Sequence, residues 1–302
     1  MRAVLLTDYG DVDKLELRDG VPEPVAAAEE IKVRLAGSSV NPIDWKLRSG
    51  AYRQRTPLKL PAILGRDASG EVVAVGSEVS AFRVGARVCG LVDRAYAEYV
   101  VARGDAWAEV PAAMDAADAA ALPLVVLTGS QLIDEALRPR PGQAVLITGA
   151  VGSVGRAAVF TARSRGAEVL AGVRRAQKEE AASLNVDVVA IDDDAEIDRL
   201  PRLDGIADTV GGQTLQKLLA KVRTGGAVAS VLGEAAGAKE RGLNARGHLT
   251  HPDARGLAAL IQAVDAGKLL IPIAKRMPLE RIREAQTLAE NGAGGKIVLR
   301  VH

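Results

Sequence analysis

Gly149, Gly152 and Gly155 recur every third residue between an apolar run at 144–148 and a segment of helical character at 154–165. The whole stretch reads "VLITGAVGSVGRAAVFTARSRGAEVLAGVRRAQ", residues 145–177. Glycines at such a turn let the backbone close tightly and approach a pyrophosphate at the positive N-terminus of the following helix. The same glycines would serve any tight strand–helix turn, and the spacing G-x-x-G-x-x-G is a variant of the usual G-x-G-x-x-G.

The second apolar run, 168–173, ends on Arg174 and Arg175, with Lys178 a turn later. A site selecting NAD would set Asp or Glu here, roughly 20 residues past the glycines, to accept from the ribose 2′-hydroxyl. Guanidinium groups suit a 2′-phosphate instead, which points to NADP(H). The alternative is a solvated basic helix start. A loop such as "TGAVGSVG" could also open a short-chain dehydrogenase, which requires Tyr-x-x-x-Lys. None of Tyr9, Tyr52, Tyr96 and Tyr99 has Lys four residues on, so that reading fails.

The elements that must position these residues alternate regularly. Strands are expected at 144–148, 168–173, 188–191, 205–209 and 227–232, with helices at 154–165, 176–184 and 213–222. This β-α-β-α-β order is that of a parallel, doubly wound sheet. Residues 1–110 differ in texture. Short β-prone runs at 3–6, 31–35, 70–75, 87–89 and 96–101 are separated by Gly, Pro, Asn and Asp, as in an irregular barrel. A helical segment is expected at 115–137 and another at 254–266, and the tail 277–301 gives helix then strand.

Composition narrows the function classes. The 302 residues suggest two domains, and a net charge of +1 with 3% aromatics offers neither a polyanion-binding surface nor a stacking platform for nucleic acid. The single cysteine, Cys89, precludes an internal disulfide and a thiolate zinc cluster. The start, MRAVLLTDYG, does not read as a signal peptide, and the apolar run 119–133 is broken by Pro123, Thr128, Gly129 and Ser130. No membrane partner and a cytoplasmic location are therefore expected.

Other segments carry a resemblance. "NPIDWKLRSGAY" (41–52), "LPAILGRDASGEVVAVGSEVSAFRVGARV" (60–88), "AYAEYV" (95–100) and "AALPLVVLTGSQLI" (120–133) resemble the medium-chain dehydrogenase/reductases. "DTVGG" (208–212), "VDAGKLLIPI" (264–273) and "GGKIVLRV" (294–301) continue the match in family order, most like the zinc-free quinone oxidoreductase branch of zeta-crystallin type. The resemblance implies an α/β chain with a GroES-like β-barrel catalytic domain, 1–122 and 270–302. A Rossmann NADP-binding domain, 123–269, completes it, with the active site in the cleft between the two.

Zinc enzymes of the superfamily carry Cys and then Gly-His-Glu, where this chain reads Asn41-Pro42-Ile43-Asp44 and Gly65-Arg66-Asp67. With His248, His251 and His302 as the only histidines, no metal is expected. What remains is hydride transfer from a nicotinamide to a small-molecule electrophile, a quinone or an α,β-unsaturated carbonyl.

The resemblance sets Asn41 and Tyr52 near nicotinamide and substrate, with Tyr52 as proton donor or pocket wall. It sets Thr128 by the nicotinamide amide or phosphate, and Ser153 and Val154 at the helix N-terminus. Val210 falls on the adenosine-ribose side, and Leu232 and Gly233 at the nicotinamide end. Asp44 reads as a helix cap, with a general acid as the alternative, and Arg66 as an acidic-substrate contact or a partner of Asp67 or Asp44. Family members dimerise through Rossmann edge strands, which here fall near 241–250, so a homodimer is implied. A non-catalytic NADPH-binding protein of the same fold is the competing reading.

Overall fold

A computed structural model describes residues 1–301. Two compact units divide the chain, one of residues 1–124 with 251–301 and the other of residues 125–250.

The first unit opens with β1 (Ala3–Leu6), β2 (Leu15–Arg18), β3 (Glu30–Val40), α1 (Pro42–Arg48), β4 (Ala62–Ile63), β5 (Asp67–Val75), β6 (Arg87–Leu91), β7 (Tyr99–Arg103) and β8 (Trp107–Glu109). After α2 (Pro123–Gln131) the second unit follows as β9 (Ala144–Thr148), α3 (Ser153–Ser164), β10 (Glu168–Val173), α4 (Lys178–Ala181), β11 (Asp187–Ala190), α5 (Asp194–Asp198), β12 (Leu203–Asp208), α6 (Gly212–Leu219), β13 (Val222–Ser230) and β14 (Asn244–Gly247). The chain then returns to the first unit as α7 (Ala254–Asp265), β15 (Ile273–Pro278), α8 (Ile282–Glu290) and β16 (Lys296–Arg300).

In the first unit β3 explains most of the layout. Ile31, Val33 and Leu35 are buried at period two while Lys32 and Arg34 point outward, the alternation of a half-buried strand. Its far half carries Ser38 and Ser39, also buried, so the strand changes from apolar to polar burial where the chemistry-bearing residues lie. β3 pairs antiparallel with β5, β7 and β16 in a sheet of order β15-β16-β3-β5-β6-β8, and a smaller sheet runs β2-β1-β4.

The second unit is a six-stranded parallel sheet of order β11-β10-β9-β12-β13-β14. Its strands read as near-continuous apolar runs because helices cover both faces. Order reverses between β9 and β12, and ligands of such sheets bind beyond the carboxyl ends of the strands at that switch.

Four expectations are corrected. Residues 251–269 belong to the first unit, because α7 packs on β8. The strand expected at 96–101 begins at Tyr99, since Tyr96 is buried in a bend with its N–H on Leu64 O. The helix at 176–184 shrinks to α4 flanked by single tight turns at 175–177 and 182–184. The helical run Asp118–Leu137 is continuous over 20 residues with mean hydropathy 1.3, long and apolar enough to cross a membrane by composition. Pro123 does not break it because it opens α2, where a missing N–H costs nothing. With 72% of its apolar window buried, it reads as a core helix.

Candidate functional site

At the sheet switch each glycine answers a steric demand. Gly149 sits at φ +63°, and a Cβ there would lie 2.5 Å from Thr209 Oγ1. A Cβ on Gly155 would lie 2.2 Å from Gly149 O, so only glycine lets α3 close on the turn. Gly152 is the N-cap of α3 and no side chain caps it. The first N–H groups of the helix, those of Ser153 and Val154 among them, lack intrahelical acceptors and suit an anion.

A buried carboxylate ties the neighbouring strand ends together. Asp208 Oδ1, at the end of β12, accepts from Thr148 Oγ1 at 2.8 Å, Gly211 N at 2.9 Å and Val210 N at 3.2 Å. Its Oδ2 accepts from Ser230 Oγ at 2.7 Å, and Ser230 Oγ in turn accepts from Leu232 N at 3.1 Å. Thr209 N donates to Thr148 Oγ1 at 2.9 Å. The ends of β9, β12 and β13 are thus one hydrogen-bonded unit. Within "DTVGG" the sequence marks Asp208 only as an acid closing an apolar strand, a signal too weak to announce this network.

This unit gathers most of the expected cofactor residues. A Cβ on Gly149 would meet Val210 Cγ2 at 3.1 Å, and one on Gly211 would meet Leu232 Cδ1 at 2.6 Å. The glycine turn and the two loops are therefore contiguous, with the Val210 and Leu232 side chains exposed. Gly233, at φ +110°, has open space where a Cβ would stand. Thr128 is buried on α2 with its Oγ1 2.7 Å from Thr250 Oγ1.

The basic strand end differs from expectation. Arg175 pairs with Asp193, and its backbone N–H donates to Asp192 Oδ1 at 2.8 Å. Lys178 Nζ lies 3.0 Å from both oxygens of Glu196, whose carboxyl is held below its usual range by the Ala190 N–H and by this lysine. Arg174 has no carboxylate within ion-pair distance among the described residues, and its Nε donates to Gln177 Oε1 at 3.2 Å. Of the three cations read as phosphate ligands, two are already neutralised by the acids that follow β11.

The first unit holds a second network, positioned by strand register. Ser39 of β3 stands opposite Asp67 of β5 and Val298 of β16, which brings Lys296 alongside Asn41. Lys296 Nζ donates to Asn41 Oδ1 at 2.6 Å, Asp67 Oδ2 at 3.2 Å and Val40 O at 3.3 Å. Asp67 Oδ2 also accepts from Ser39 Oγ at 2.6 Å and Asn41 Nδ2 at 2.7 Å, and its Oδ1 accepts from Leu124 N at 2.7 Å.

Asn41, expected beside the nicotinamide, is 0% exposed with its amide committed to Asp67 and Lys296. Asp44 closes a capping box on Asn41 at the start of α1 and accepts from Tyr96 Oη at 2.7 Å. Burial pushes its carboxyl up to about 6. Arg66 pairs with neither expected acid, its Nε lying 3.3 Å from Asp93 Oδ1 while Asp67 is taken by Lys296. Tyr52 lies outside the network, half-buried after α1, with Lys46 Nζ 5.6 Å from its ring centroid and the Arg55 guanidinium 5.7 Å away.

With this geometry in view, the comparisons with known proteins agree on one class. Residues 27–112 match the alcohol dehydrogenase GroES-like domain, and 178–299 match the zinc-binding dehydrogenase family. A quinone oxidoreductase of Lama guanicoe is 28% identical, the match covering 99% of this chain and 97% of that protein. The solved quinone oxidoreductase of Coxiella burnetii superposes with a TM-score of 0.89 at 28% identity, covering 100% of this chain and 99% of that one. A structure described as an NAD-dependent alcohol dehydrogenase reaches 0.87, also at 28% identity, with 100% of each chain covered. A GroES-like unit joined to a Rossmann-type sheet is the architecture of a dehydrogenase. The chain belongs to the medium-chain dehydrogenase/reductase superfamily of oxidoreductases, in its quinone oxidoreductase branch.

One of those family descriptions names zinc, and the donors present here do not suit it. Arg66 stands where the superfamily's zinc enzymes have histidine, and the Cys89 thiol is buried and pushed far up by desolvation. Among the described residues, no three His, Cys, Asp or Glu side chains cluster as metal ligands.

Proposed function

We propose that this protein is a zinc-independent, NADPH-dependent oxidoreductase that delivers hydride to a quinone or an α,β-unsaturated carbonyl. The observation that carries the reading is the uncapped N-terminus of α3 beside the Asp208 unit, with Arg174, at the end of β10, unpaired by any acid among the described residues. The Ser153 and Val154 N–H groups hold a pyrophosphate, and the Arg174 guanidinium pairs with a 2′-phosphate. When bound, a reduced nicotinamide supplies the hydride. Tyr52 donates a hydrogen bond to the acceptor oxygen as negative charge develops there and can pass it the proton.

Electrophilic acceptors are favoured because they need only such a donor, whereas oxidising an alcohol calls for a Lewis acid or a strong base. A cytoplasmic homodimer acting on a small molecule, with neither nucleic acid nor membrane as partner, belongs to the same proposal. Its support is the lone cysteine and β14, an edge strand paired only with β13 among the described residues.

The test is loss of NADPH absorbance with a panel of quinones and enones. Turnover well above the buffer rate is the expected result, retained after treatment with a strong chelator. Tight NADPH binding without turnover on any acceptor would instead favour a non-catalytic nucleotide-binding role.

A further inference from the structure

The cations at the end of β10 are answered by acids from a different strand end. The loop after β11 runs Ile191-Asp192-Asp193 into α5. Asp193 uses its two carboxylate oxygens separately. Oδ1 caps α5, accepting from Ala195 N at 2.9 Å and Glu196 N at 3.4 Å, while Oδ2 pairs with the Arg175 guanidinium. The backbone of Arg175 is fixed independently, by its N–H on Asp192 Oδ1. Only the side chain of Arg175 therefore depends on Asp193, and that side chain is 66% exposed.

We infer that Asp193 sets the strength of the NADPH preference, by holding Arg175 away from the 2′-phosphate and by placing a negative charge beside it. The inference rests on the reading of the β10 strand end given above. Discrimination then falls to Arg174 alone, and the protein accepts NADH more readily than its run of basic residues suggests. A phosphate dianion arriving at this end meets one guanidinium with no acid partner among the described residues and two cations already paired. To recruit Arg175 it must displace a carboxylate that is anchored by its own helix-capping bonds. A pair whose arginine is largely exposed is weak enough for one substitution to tip the balance.

Asp193→Asn tests this with little risk to the fold, because Asn is as good an N-cap as Asp and keeps the oxygen that caps α5. Binding is followed by the fluorescence of NADPH and NADH, without any acceptor present. Releasing Arg175 should tighten NADPH by roughly three- to tenfold, with NADH changed by less than about twofold. Adding Arg175→Ala to Asp193→Asn should remove most of that gain, whereas Arg175→Ala alone should cost NADPH little.

Unchanged NADPH affinity in Asp193→Asn overturns the inference, and so does a gain that survives in the double variant. Arg174→Ala, measured alongside, separates the two levels. If it weakens NADPH while Asp193→Asn does nothing, the restraint is refuted and the phosphate reading stands. If neither substitution moves NADPH relative to NADH, both fall.

Discussion

Lys296→Met is expected to lower the unfolding free energy by about 3–5 kcal/mol, the usual cost of stranding one member of a buried ion pair. Lys296 is 5% exposed and Asp67 is 0% exposed, so water cannot take over for either. The ammonium's three protons meet three acceptors, Asn41 Oδ1, Asp67 Oδ2 and Val40 O. Asp67 is equally complete, with donors from Ser39, Asn41, Lys296 and Leu124. Removing the lysine leaves a buried carboxylate facing only neutral donors, with two oxygens of β3 and Asn41 left short of a proton.

The paired change Lys296→Met with Asp67→Asn should recover part of the loss, since it removes the uncompensated charge. Urea unfolding with an unchanged slope provides the measurement. A loss below about 1 kcal/mol would show the pair to be energetically neutral.

Asp208→Ala should be comparably severe, but in a different currency. The carboxylate is fully buried and accepts four hydrogen bonds, from Thr148, Val210, Gly211 and Ser230. Stranding buried donors costs about 1–3 kcal/mol each, with partial relief as the loops relax. Those loops carry Val210 and Leu232, so their loosening should weaken NADPH and NADH together by roughly tenfold or more. A parallel fall for both cofactors is what separates this positioning role from a direct contact with the 2′-phosphate. Asp208→Asn should not rescue, because it turns one acceptor oxygen into a donor aimed at donors. Retained affinity for both cofactors would mean that the strand ends are held by other bonds.

Both networks were hard to see in the sequence, for the same reason. Lys296 and Asp67 are 229 residues apart, and nothing local to "GGKIV" or "GRDAS" announces that strand register will seat them together. The parallel sheet was far more legible. Ala144–Thr148 and Glu168–Val173 are strands over the expected residues, because a glycine turn and two basic residues punctuate buried apolar runs.

The Rossmann domain implied by the resemblance, 123–269, takes in α7, whereas the compact units set α7 with the first, because an apolar helix face does not announce which core it meets. Arg175 and Lys178 were visible as cations, yet their acids lie after the next strand and are found only once β10 and β11 pair. Asn41 stands out in the sequence only by resemblance, whereas its buried bonds to Asp67 and Lys296 come from strand register.

In the proposed function Arg174, at the end of β10, reads the 2′-phosphate of NADPH. The direct measurement is the affinity of Arg174→Ala for NADPH and NADH under identical conditions. The backbone N–H that meets Gln177 is kept, so the turn should hold. NADPH should be weakened by about tenfold, one charge-assisted contact, with NADH within about twofold of the parent. Equal weakening of the two, or none in either, would contradict it.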